Sequence, residues 1–279
     1  MKKDEFDIVV LVGPDESEYI HNQIKCTKRN IEGYRNIYLL SYDPSIKIDG
    51  CITISEDIFP FSKDTVAKYH GKIKRNGWYL QQLLKLYAGL YIPGILEKYL
   101  VLDSDIYFIN KVKFIDNGRS KFDFSTVQKH EPYFEHMLNL HPLLIMYDTG
   151  KSGVCHHMLF DTKKLKVLFN LVETYHNNFK KYVLNDDNNE QFYEIFLNKV
   201  TPENYELSGA SEYEIYFNFI QSGLVEQDFD IRKLREAEAQ KTEDTNIHNF
   251  IQYSNMIGNG DYDGMDNFEY ISCHLYNLT

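Results

Sequence analysis

Hydrophobic positions along the chain first fall into one short unbroken run. Phe6-Asp7-Ile8-Val9-Val10-Leu11-Val12 carries a single charge and stops at Gly13-Pro14, the pattern of a central parallel strand covered on both faces. A helix is expected over residues 17–30, then strands over 36–41 and 51–54, each closed by turn residues. From 78 to 91 the spacing changes: Leu80, Leu83, Leu84, Tyr87, Leu90 and Tyr91 recur at helical intervals, and Pro93-Gly94 stops the segment. Residues 99–102 return to a buried strand, Asp103-Ser104-Asp105 breaks it, and 106–109 resume β character.

Further on, 165–183 and 189–200 read as helices separated by the polar break Asn185-Asp186-Asp187-Asn188. Ser211 with Glu214 three residues later is a capping box opening a helix through about Gln221. Residues 232–241 read as a solvated helix, 247–253 as a strand and 258–264 as a turn-rich stretch. No internal repeat, low-complexity tract or linker interrupts this alternation, so the chain is expected to be one α/β domain over 1–279, with parallel pairing under helical cover.

A hydrophobic fraction of 43% and an aromatic fraction of 15% supply the core of a folded domain. The formal net charge of -11 opposes a phosphate-tracking surface, so nucleic acid is not an expected partner. An anionic nucleotide remains reachable if a divalent cation lies between carboxylate and phosphate. Cys26, Cys51, Cys155 and Cys273 are scattered singly, a spacing that fits neither a zinc knuckle nor a disulfide framework and suits reduced thiols. The charged start Met1-Lys2-Lys3-Asp4-Glu5 lacks the apolar stretch of a signal peptide, and no run approaches membrane-spanning length. The expected setting is the cytoplasm, including a viral factory within it.

Asp-x-Asp occurs at Asp103/Asp105, Asp228/Asp230 and Asp261/Asp263, so spacing alone selects none of them. In an extended chain, residues two apart face the same way, and only the first pair sits at the end of a buried strand. In open α/β sheets, ligands collect beyond the carboxyl ends of the strands, where two such carboxylates can share a divalent cation with a diphosphate. A turn held by Asx hydrogen bonds is the plainer account of the same pair. Asp228 and Asp230 read as N-terminal caps of the charged segment that follows, and Asp261-Tyr262-Asp263-Gly264 as a surface turn.

The run Tyr99-Leu100-Val101-Leu102-Asp103-Ser104-Asp105 follows the helix with Gly77-Trp78-Tyr79-Leu80-Gln81-Gln82-Leu83-Leu84-Lys85 and precedes Ser211-Glu212-Tyr213-Glu214-Ile215-Tyr216. In this order and spacing the chain resembles GT-A glycosyltransferases of bacteria and large DNA viruses. The resemblance implies a Rossmann-like mixed sheet flanked by helices, with a nucleotide-binding half over 1–110 and an acceptor-binding half over 111–279. It implies a UDP-sugar donor, Mn²⁺ or Mg²⁺, and a glycan or glycoprotein acceptor. It places Asp105 on the metal and Asp103 on ribose or metal-bound water, with His248 or His274 as a further metal ligand; a structural histidine is the alternative for each.

Glu212, at a helix start where the dipole favours its ionised form, is the candidate general base of an inverting transfer, or else only steadies that helix terminus. Trp78 walls the nucleotide pocket or packs as a staple. Gln82 and Lys85 reach ribose or phosphate, or face solvent. Gly13 admits the nucleotide closely or simply turns. His157 meets a sugar hydroxyl or is structural. Two other functions compete. A sugar nucleotidyltransferase would need a Gly-rich basic loop where the chain has only Gly13, and a catalytically idle sugar-binding or assembly protein would have no need of the acidic triplet or Glu212.

Overall fold

The computed structural model describes residues 4–14, 19–126, 130–238, 247–260 and 267–273. Along the chain lie β1 (Phe6–Val12), α1 (Ile20–Asn30), β2 (Ile31–Glu32), β3 (Tyr34–Ser41), β4 (Ile52–Ser55), α2 (Lys63–His70), α3 (Asn76–Tyr91) and β5 (Lys98–Leu102). Then come β6 (Ile106–Phe108), β7 (Val112–Lys113), β8 (Ile115–Asp116), β9 (Arg119–Asp123), α4 (Glu131–Leu140), β10 (His157–Asp161) and α5 (Thr162–Val183). The remainder is α6 (Phe192–Asn198), α7 (Glu212–Gln221), β11 (Phe229–Arg232), β12 (Glu236–Glu238), α8 (Ile247–Asn259) and β13 (Tyr270–Ser272).

The principal sheet has the order β10-β5-β1-β3-β4. Its strands are parallel except β10, which runs antiparallel to β5 with His157 opposite Leu102. β1 is buried along its whole length, as its unbroken apolar run requires. The one charge in that run, Asp7, is held by Arg35 at 2.6 Å and by the backbone N–H groups of Asn36 and Leu96 at 3.0 and 2.7 Å. A buried carboxylate is tolerable only with such partners. The chain builds outward from β1 through β3 to β4, then returns to lay β5 on the other side of β1. The strand order reverses there, and the crevice between the carboxyl ends of β1 and β5 is the switch point where open α/β sheets bind ligands.

α3 packs across β1, β5 and β10, while α5 and α7 also reach β10. One continuous core runs from Phe6 to Tyr270 and so draws on both halves of the sequence. A smaller cluster of Cys26, Tyr107, Ile109, Ala237, Ile257, Ile271 and Cys273 lies between α1, α8 and the β12-β13-β6 sheet.

Two sequence expectations change. Over the described part of the helix expected at 232–241, Arg232 ends β11 and Glu236–Glu238 form β12; residues 239–241 lie outside the described residues. Asp230 pairs across the strands with Arg119 and Lys121 on the neighbouring β9 at 2.8 and 2.6 Å, and Asp228 pairs with Lys98 of β5 and Lys164 of α5, so neither carboxylate serves a helix start. Phe229 packs on Phe122 with ring centroids 5.4 Å apart. The strand expected over 247–253 is the first part of α8. Ser254 and Asn255 in that helix accept hydrogen bonds from Asn22 of α1 at 3.2 and 2.8 Å. Gly258 lets the two helices close, since a Cβ there would stand 2.4 Å from Asn22 Oδ1. Asp261 and Asp263 lie outside the described residues.

Candidate functional site

β5 ends at Leu102, so Asp103 emerges at the switch point. The antiparallel ladder with β10 continues one step past the strands: Asp103 N–H donates to the His156 carbonyl at 2.9 Å. That bond sets His156 beside Asp103. His156 has a left-handed backbone with φ +60, uncommon for a non-glycine residue and a mark of a position held by its surroundings. Its Nδ1 stands 3.2 Å from Asp103 Oδ2. Asp103, Asp105 and His156 bring ligand atoms within 4.8 Å of one another.

The other oxygen of Asp103 is fully engaged. Oδ1 accepts from Lys85 Nζ at 2.6 Å and from the Tyr213 hydroxyl at 2.7 Å. Lys85 comes from α3 and also reaches Glu212 Oε1 at 2.8 Å, with Nζ 4.4 Å from the centre of the Tyr213 ring. Glu212 opens α7, where Ser211 caps the helix by accepting from Glu214 N–H at 3.2 Å. Glu212 N–H donates to Gln82 Oε1 at 3.2 Å. The Gln82 amide nitrogen is buried without a hydrogen-bond partner among the described residues.

These contacts shift the proton affinities of the cluster. Burial would raise the Asp103 carboxyl, but the Lys85 ammonium and the His156 bond outweigh it and hold Asp103 well below the usual carboxylate range. Burial likewise opposes the charge on Lys85, and Asp103 with Glu212 overcomes it. Burial raises the Glu212 carboxyl in spite of Lys85. For His156, burial lowers the imidazole and Asp103 raises it more.

Of the residues singled out in the sequence, Asp103, Asp105, Gln82, Lys85 and Glu212 meet at this point. His157 does not. Its ring is 2% exposed, bonded through Nε2 to Asp123 Oδ2 at 3.0 Å and enclosed by Phe108, Phe114 and Tyr270, with Nδ1 buried and unpartnered among the described residues. Trp78 is half-buried against Tyr79, with Arg75 5.7 Å over its ring. Gly13 follows the end of β1, whose Val10 lies opposite Leu102. His248 falls within α8, and His274 lies outside the described residues. The preceding residue, Cys273, donates its N–H to the Asp105 carbonyl at 2.9 Å. His156 and Tyr213 are members of the cluster that sequence reasoning did not select. Glu214, expected to close a capping box, instead accepts from Ser152, from Gly153 N–H at 3.2 Å and from Asn218 at 3.1 Å.

Fold and cluster define an α/β protein with an acidic, histidine-bearing centre at the switch point of its sheet. The chain belongs to the family described as "Family of unknown function (DUF6492)", whose model matches residues 1–276. No curated protein matches it. Among solved structures it is similar to mouse xyloside xylosyltransferase 1 in its apo form, at 9% identity and TM-score 0.48, covering 99% of each chain. It is also similar to the galactosyltransferase LgtC in complex with donor and acceptor sugar analogues, at 12% identity and TM-score 0.44, over 96% of this chain and 86% of that one. A third likeness is to the glycosyltransferase GlyE of Streptococcus pneumoniae TIGR4, at 11% identity and TM-score 0.36, over 96% of this chain and 54% of that one.

Proposed function

We propose that the protein is a metal-dependent GT-A glycosyltransferase that moves a sugar from a nucleoside-diphosphate sugar, a UDP-sugar, to a hydroxyl group of a glycan or glycoprotein acceptor. The observation that carries this reading is the convergence of Asp103, Asp105 and His156 within 4.8 Å at the sheet's switch point. The two carboxylates suit Mn²⁺ or Mg²⁺, and the imidazole favours Mn²⁺ over the harder, oxygen-seeking Mg²⁺. His156 Nδ1 and Asp103 Oδ2, 3.2 Å apart, are near enough that both residues would hold one cation. His248 and His274 are the two candidates for a further ligand. With a cation bound, Asp103, Asp105 and His156 would hold it where it would offset the charge that builds on the leaving diphosphate.

In the transfer, the bond from the anomeric carbon to the diphosphate oxygen breaks, a bond to the acceptor oxygen forms, and the hydroxyl proton leaves. Glu212 receives that proton in an inverting reaction, and burial, by raising its proton affinity, suits it to the task; such a base contributes about 10²–10⁴-fold. The bond from Lys85 to Glu212 at 2.8 Å favours a second reading, in which Glu212 positions Lys85 and the sugar keeps its anomeric configuration. Gln82 offers its unpartnered amide nitrogen to a donor oxygen, while Gly13 and Trp78 stand toward the nucleoside.

Incubation with Mn²⁺ and a panel of nucleotide sugars is expected to raise the melting temperature with one donor and to hydrolyse it slowly. Asp105→Asn abolishes both effects. Glu212→Gln spares donor binding and loses transfer; transfer that survives this change removes the base role, and the anomer of the product separates inversion from retention. A panel that gives no Mn²⁺-dependent stabilisation overturns the reading.

A further inference from the structure

Lys85 places a fixed positive charge against the very carboxylate that the proposed site offers to a cation. Its Nζ is 2.6 Å from Asp103 Oδ1 and 2.8 Å from Glu212 Oε1, and its side chain is 9% exposed. The Tyr213 ring covers it at 4.4 Å, and the Tyr99 hydroxyl anchors the α3 backbone by donating to the Lys85 and Leu86 carbonyls at 3.0 and 3.1 Å. The ammonium therefore has little freedom to move aside. A divalent cation sharing Asp103 through its second oxygen would sit across one carboxylate from it, where like charges repel strongly even at the effective dielectric of a protein surface. Removing Lys85 altogether would leave Asp103 and Glu212 as neighbouring buried carboxylates, so the residue also serves the fold. A diphosphate changes the balance, because its negative charge attracts the cation and Lys85 together.

We propose that Lys85 is an internal competitor of the metal: it keeps Asp103, Asp105 and His156 weak toward a bare divalent cation, so that cation and nucleoside diphosphate bind as a cooperative pair. The inference rests on the reading of those three residues as the cation site. Cooperativity of this kind is reciprocal, so UDP must tighten Mn²⁺ by the factor by which Mn²⁺ tightens UDP.

The test is a titration of the full chain with MnCl₂, following the paramagnetic resonance signal of free Mn²⁺ with and without UDP. The wild type is expected to bind Mn²⁺ weakly alone and at least tenfold more tightly with UDP. Lys85→Gln, whose amide can still donate to Asp103 or Glu212, binds Mn²⁺ alone at least tenfold more tightly and loses most of the UDP effect. Lys85→Met does the same if folded, and Lys85→Arg, which keeps the charge, behaves as the wild type. Wild-type protein that binds Mn²⁺ equally with and without UDP overturns the proposal, as do folded Lys85→Gln and Lys85→Met proteins no tighter than wild type. Mn²⁺ binding that Asp105→Asn leaves intact, or that no variant shows even with UDP, overturns the cation site itself.

Discussion

His156 and His157 are consecutive, yet one faces two carboxylates and the other a cage of aromatic rings. His157 is the first residue of β10 and is buried among core rings, whereas His156, just before the strand, has a left-handed backbone and sets its ring beside Asp103. Exchanging their environments by mutation is informative. His156→Asn keeps a residue that tolerates the left-handed backbone and removes the imidazole; Mn²⁺-dependent UDP binding is expected to weaken at least tenfold while the melting temperature holds. His157→Phe retains a ring among Phe108, Phe114 and Tyr270 but takes one bond from buried Asp123, which keeps Arg232 at 2.8 Å. Its expected cost is about 1–3 kcal/mol in urea unfolding, with Mn²⁺ binding unchanged. The opposite pattern would assign the ligand role to His157 in place of His156. The sequence marks Asp103 and Asp105 because an apolar strand runs into them, a local signal. It singles out His157 and passes over His156, because which of the two meets the carboxylates depends on the pairing of β10 with β5, between segments more than fifty residues apart.

Elements whose apolar spacing is long and regular are legible in the same way: α3 spans Asn76–Tyr91 where 78–91 is read, and α5 spans Thr162–Val183 where 165–183 is read. β11 is not, since its four residues become a strand only through the ion pairs and ring contact that β9 supplies. The loop carrying His156 is likewise positioned by a partner. Glu214 of α7 accepts from Ser152 and Gly153, and Tyr147 N–H donates to Asn218 at 3.1 Å, so the loop is fastened along the helix that presents Glu212 and Tyr213. Gly153 permits this closeness, for a Cβ there would meet Phe217 Cβ at 2.4 Å and the Tyr213 carbonyl oxygen at 2.8 Å. Gly153→Ala must therefore push the loop from α7. The expected result is a loss of about 1–3 kcal/mol together with weaker Mn²⁺-dependent UDP binding, read by denaturant unfolding and calorimetry; a stability loss with unaltered binding would uncouple the loop from the site.

At the scale of the whole molecule, two histidines away from the site and buried in neutral form contribute to the loss of stability in mild acid. His70 of α2 and His136 of α4 each engage the end of α6 through Nε2, on the Leu197 and Phe196 carbonyls at 2.9 Å in both cases. A ring that donates Nε2–H to a carbonyl keeps Nδ1 as its bare nitrogen, and in both residues Nδ1 is buried with no partner among the described residues. A second proton would thus be stranded. Burial lowers both pKa values, that of His136 from 6.5 to about 4. Since the unfolded chain then binds more protons than the folded one between those values, stability rises with pH across the window and is lost as pH falls from about 6.5 toward about 4. From pH 7 to pH 5, His136 alone accounts for about 2 kcal/mol. His136→Gln can still donate to the Phe196 carbonyl but does not titrate. Urea unfolding at both pH values should show a smaller acid loss in this variant than in the wild type, by roughly that amount; an equal loss would assign the acid sensitivity to other groups.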